Sequence, residues 1–181
     1  TLFGHDDDDA SRWFNGKISD VRIFNTALSA DNISELYSNP NLVLPTGISG
    51  SQLVGHWPLT EGFGTTAHDG SGNQNHGTLS GSAIPTWVSG STDIPQLGGK
   101  SYNKPMVFDG SDDYISVGAT GTLDFISNNS DFTIGLWIYI DEFDGTSRRF
   151  LGNREVTSPY DGYTFNHGRL TNSWRKINFQ V

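Results

Sequence analysis

The chain has 181 residues, long enough for one full domain with a real core or for a fragment of a tandem array. Its net charge of −9, with no lysine- or arginine-rich segment, argues against a nucleic-acid partner and against an anionic membrane surface. There is no cysteine, which excludes disulfides, thiolate metal sites and cysteine catalysis, and no apolar run reaches the roughly 20 residues of a membrane span.

The 22 glycines, beside abundant Ser, Thr, Asn and Asp, predict an all-β protein with many tight turns. Residues 1–15 are turn-rich and contain Asp6, Asp7, Asp8 and Asp9 in succession; adjacent like charges repel, and the ordinary reading is a solvated loop. Residues 17–24 (KISDVRIF) alternate as a strand does, with Val21 and Ile23 on one face and Asp20 and Arg22 on the other. Ser29 is placed to cap a short helix over 30–37, carrying Ile33, Leu36 and Tyr37 on one side and stopped by Pro40. Residues 39–52 (NPNLVLPTGISGSQ) form a Pro/Gly/Ser-containing linker and mark a module boundary.

A new strand begins at 53–59, with Trp57 and Leu59 on the same face. Residues 60–81 are expected as loop with short extended pieces, and short strands follow at 106–108 and 114–117 around the turn Asp109-Gly110-Ser111-Asp112. The clearest strand is 132–140 (FTIGLWIYI), where Phe132, Ile134, Leu136, Ile138 and Ile140 make one face and Trp137 and Tyr139 the other. Strands over 150–154, 163–166 and 174–181 complete the prediction, the last with Ile177, Phe179 and Val181 in phase. Many short strands with closely spaced turns imply a two-sheet antiparallel sandwich or jelly roll.

Two stretches are more specific than composition. Residues 14–37 (FNGKISDVRIFNTALSADNISELY) resemble the closing segment of laminin-G-like, concanavalin-A-like jelly-roll modules. Residues 56–79 (HWPLTEGFGTTAHDGSGNQNHGTL) resemble the opening segment of the same family, and 107–117 (VFDGSDDYISV) and 131–139 (DFTIGLWIY) match its next two strands in order. The order is inverted, closing segment first. One explanation is a tandem protein sampled across a junction: 1–38 close one module, 39–52 link, and 53–181 form most of the next. The other is that 1–38 supply the missing strands, within this chain by circular permutation or between chains by exchange.

The resemblance implies a carbohydrate- or surface-binding adhesion module of a larger extracellular, cell-surface or virion protein, with a glycan or surface glycoconjugate as partner. The alternatives are a structural subunit of a filament, fibre or virion, self-assembling through strand exchange, and an accessory module of a polysaccharide-degrading enzyme. Membrane insertion is not expected, and neither is catalysis. Jelly-roll glycoside hydrolases set two carboxylates on one strand, and 132–140 carries none. The five histidines, His5, His56, His68, His76 and His167, show neither metal-hydrolase nor Ser-His-Asp spacing.

Calcium is the one cofactor the resemblance implies. Its candidate ligands are Asp69 and Asn73 in the glycine-rich loop and Asp112 and Asp113 in the later turn, because hard cations take oxygen donors. The competing reading is that Asp69 and Asn73 hydrogen-bond turn backbone. Among the aromatics, Trp57 and Trp137 sit on regular strands and are expected in the core. Trp87 and Tyr160 lie in loop-like sequence and are the candidate sugar platforms.

Overall fold

The computed structural model describes residues 1–5, 12–88, 105–118, 123, 126, 131–141, 147–154, 162–167 and 177–180. Tyr160 and Trp174 lie outside these residues, as does the aspartate run at 6–9. The chain is an all-β sandwich of two antiparallel sheets. One sheet has seven strands, in the order β12 (Ile177–Gln180), β11 (Gly162–His167), β10 (Arg148–Arg154), β1 (Leu2–Phe3), β8 (Tyr114–Val117), β5 (Gly77–Ser80) and β4 (Thr66–Ala67). The other has five and is organised around β2 (Asn15–Phe24), ten residues long. Along one edge β2 pairs first with β7 (Met106–Asp109) and then with β3 (Leu53–Trp57); along the other it pairs with β9 (Thr133–Ile140). Strand β6 (Thr86–Trp87) adds to β7.

Strands β1 and β2 therefore stand in the middle of the two sheets. Strand β1 lies between β8 and β10, and β2 lies between β9 and its two other partners. Phe3, Phe14, Ile18, Val21 and Ile23 have no solvent exposure and belong to the same apolar cluster as Trp57, Met106, Phe108, Ile115 and Leu151. The Phe3 and Trp57 rings meet edge to face at 5.1 Å, joining the two segments across the core. The strands flanking 39–52 are hydrogen-bonded neighbours, and Ile23 faces Gly55 in the ladder.

Strand β2 does not alternate throughout. Ile18 and Val21 both point into the core, which an unbroken period of two forbids. A bulge absorbs the difference: the β2–β9 register shifts between Ser19 and Arg22, and Asp20 sits at φ 52°, a region aspartate tolerates better than most residues. The kink falls where the partner strand changes from β7 to β3.

Helix α1 (Ala30–Ser38) begins as predicted, with Ser29 Oγ accepting from Asn32 N and the Asn32 side chain accepting from Ser29 N, both at 3.2 Å. It lies over the outer face of the five-stranded sheet, and none of its residues is buried. This changes the place of Trp137. Its ring is half-buried against Tyr37 of α1, with centroids 5.5 Å apart, on the wall of a cavity rather than in the core. Trp57, by contrast, is fully buried in the core and its indole N–H donates to Asn75 O at 2.8 Å. Among the described residues no helix is long and apolar enough to cross a membrane.

Candidate functional site

Strand β7 belongs to the five-stranded sheet and β8 to the seven-stranded one, so residues 110–113 carry the chain from one layer to the other at the rim of the sandwich. Such an arch needs a reversal with no side chain at its tightest point. Gly110 provides it at φ 79°; a Cβ there would lie 2.8 Å from the Asn15 side chain. Asp109 Oδ1 accepts from Ser111 N at 2.8 Å, an Asx turn, and Asp113 reaches back to accept from Asp109 N at 3.0 Å. Asp112 Oδ2 accepts from Ser82 N at 2.9 Å and joins the arch to the loop after β5.

Three carboxylates thereby converge, each with an oxygen within 4.8 Å of the other two. Asp113 is only 3% exposed, and its Oδ1 has no hydrogen-bond partner among the described residues. Burial, with the negative charges of Asp109 and Asp112 beside it, outweighs the Asp109 N–H and raises the Asp113 pKa to about 6. Asp112 moves the other way, held below the usual carboxylate range by its hydrogen bonds to Ser82. An all-oxygen set of this kind suits a hard cation, and the turn geometry brings Asp109 together with Asp112 and Asp113.

An aromatic group adjoins the arch. His5 and Trp13 stack at 3.6 Å with an interplanar angle of 22°, and Tyr114 stands 6.1 Å from Trp13 and 6.4 Å from His5. The Arg148 guanidinium ties the two features together, since its Nη1 donates to Trp13 O at 3.0 Å and to Gly110 O at 3.3 Å. Trp13 and Tyr114 are half-buried and His5 is buried. Sequence reasoning missed this group because its members are far apart in the chain and Trp13 falls in a turn-rich segment without periodicity.

Asp69 and Asn73 sit elsewhere, along the outer edge of β3. Asp69 Oδ1 accepts from His56 N and Ser71 N, and Oδ2 accepts from Ser71 Oγ and Asn75 N, all at 2.8–2.9 Å. Burial alone would raise its pKa, but these hydrogen bonds outweigh burial and lower it. Gly70 N donates to His56 O, and the side-chain amides of Asn73 and Asn75 donate to Val54 O. The loop thus satisfies the backbone of an edge strand, donor and acceptor in turn, as another strand would. Asp69 and Asn73 are not brought together with Asp112 and Asp113 in the acidic cluster.

Trp87 is half-buried on β6 beside the core, and its indole N–H donates to Gly64 O at 2.9 Å. A further polar cluster was not foreseen: Asp20 at the β2 bulge accepts from Arg22 Nε and Nη2 at 2.9 Å and bonds His56 Nε2 at 2.9 Å. Arg22 and His56 face one another across the β2–β3 ladder, so the cluster pins the junction where β2 changes partner. Comparison with protein-family models, with curated proteins and with solved structures finds nothing that matches this chain.

Proposed function

We propose that the chain is a non-catalytic carbohydrate- or surface-binding adhesion module of a larger extracellular or virion protein, on a sandwich of the laminin-G-like, concanavalin-A-like type. One observation carries the reading: the His5–Trp13–Tyr114 group stands beside the carboxylates of the 109–113 arch at one rim of the sandwich. Aromatic faces pack against the apolar faces of sugar rings, while carboxylates accept from their hydroxyls. Calcium belongs to the same proposal. The buried Asp113 oxygen without a partner supports it, because a cation there would supply the missing interaction.

The test is a glycan array probed with the chain in calcium and in chelator, repeated with Trp13→Ala. Binding that needs Trp13 supports the reading; binding to no glycan in either condition overturns it. The second reading is a structural subunit, favoured by the position of β1 and β2 inside both sheets, because exchange of these strands between copies would link subunits. Concentration-dependent assembly without glycan binding would select it.

A further inference from the structure

A cavity of about 310 Å³ lies between α1 and the outer face of the five-stranded sheet. Leu28, Ile33, Leu36, Ile134, Leu136 and Trp137 line it, and the buried Phe24 ring contributes to its wall. Three of its polar lining side chains, Asp20, Arg22 and Thr133, are engaged within the protein itself. The Asp20 carboxylate takes Arg22 and His56; Arg22 Nη2 also donates to Pro40 O; Thr133 Oγ1 accepts from Leu28 N and donates to Thr26 O. The Asp20–Arg22 pair is neutral as a unit.

The space is kept open by design of the helix anchors. Helix α1 is held by its capping box and by polar bonds to residue 46, with Glu35 accepting from Thr46 N and Oγ1 and Asn32 donating to Thr46 O. These bonds fix its height without burying any of its residues. Ile33 stays 52% exposed and Tyr37 47% exposed at the mouth. On the floor, a Cβ added to Gly135 would meet no atom within 4 Å. Leaving this much apolar surface half-covered forgoes stability that a closer helix would gain.

We propose that this cavity is a binding site for a small, neutral, apolar molecule carrying one or two rings. A sugar suits it poorly, since hydroxyls entering here would lose water against a mostly apolar wall on which Asp20, Arg22 and Thr133 already bond within the protein. A charged ligand would meet a balanced ion pair. The size falls at the lower end of ligand pockets, and an apolar cavity of about 150 Å³ already binds benzene. Tyr37 and Trp137 offer ring faces at the opening.

The probe is N-phenyl-1-naphthylamine, neutral and fluorescent only when sheltered from water, titrated into the whole chain. Saturable binding at one site is expected, at least 10-fold weaker in Gly135→Val and in Ile33→Trp, which fill the floor and the mouth. Trp13→Ala should leave it unchanged, so this test and that of the adhesion reading fail separately. Nuclear Overhauser contacts between probe and the Leu36 methyls in the unaltered chain give a readout that needs no variant. Absence of saturable binding, equal binding in the folded filling variants, or contacts elsewhere on the chain would overturn the proposal.

Discussion

Replacing Asp69 by alanine removes one carboxylate and leaves three backbone N–H groups, of His56, Ser71 and Asn75, without that acceptor, while the Ser71 hydroxyl keeps Val54 O. The Ser71 groups are half-exposed and water can take over there. The hydrogen bonds to His56 N and Asn75 N are buried, and an unsatisfied buried donor costs about 1–3 kcal/mol each. Allowing for some water entry, the loss should be about 3–4 kcal/mol, a large fraction of the 5–15 kcal/mol that holds a typical domain. Asp69→Asn keeps one acceptor oxygen and should lose about half as much. Guanidinium unfolding followed by tryptophan fluorescence measures both. Because the Asp69 pKa is lowered in the fold, its contribution is present above the unfolded value near 3.9 and is lost as pH falls through the lower folded value. The gap between the unaltered chain and Asp69→Ala should therefore narrow below pH 4. The cost should also be the same in calcium and in chelator, since the chain's own donors occupy the carboxylate. A loss under about 1 kcal/mol, or one that vanishes in chelator, would refute the argument.

Asp113 carries the opposite sign: its folded pKa near 6 exceeds the unfolded value, so its stabilising contribution is complete below about pH 4 and is lost as pH rises through 6. Asp113→Asn should flatten the melting-temperature profile between pH 4 and 7 in chelator, and an unchanged slope would count against the burial argument. Gly77→Ala should destabilise by about 1–3 kcal/mol through overpacking, because its Cβ would lie 2.6 Å from Ile115 and 2.8 Å from Val117; chemical unfolding measures it. Arg22→Met should cost about 3 kcal/mol by leaving the Asp20 carboxylate without its bidentate partner, with Asp20→Asn, Arg22→Met recovering part of the loss in a double-mutant cycle.

What could be read in the sequence was whatever repeats with a period. The strands at 17–24, 106–108, 114–117 and 132–140 follow from short apolar runs between turns, and the helix start follows from Ser29. What could not be read depends on single residues or distant partners. Strand β1 is two residues long, too short to show a period, yet it occupies the middle of a sheet. The Asp20 bulge shifts phase in mid-strand, and only three-dimensional pairing with Pro58 O and His56 shows why the chain accepts a positive φ there. Trp137 lies on the most regular strand, and periodicity identified its face without identifying what covers that face.

The placement of β1 and β2 among the inner strands has a physical consequence that holds whatever the chain's kinship. A segment supplying inner strands to two sheets cannot be removed without opening both, since β1 separates β8 from β10 and β2 separates β9 from β3 and β7. Six fully buried apolar side chains, Phe3, Phe14, Ile18, Val21, Ile23 and Phe24, would leave with it. Segments of this size seldom fold alone, and this one has no disulfide to staple it. Its folding must therefore be cooperative with that of residues 53–181. The edge that β3 presents on its far side is covered by the Asp69 loop, donor for acceptor, which guards it against pairing with other chains. A strand adding at this edge of β3 would first have to displace that loop and the hydrogen bonds it makes to His56 and Val54.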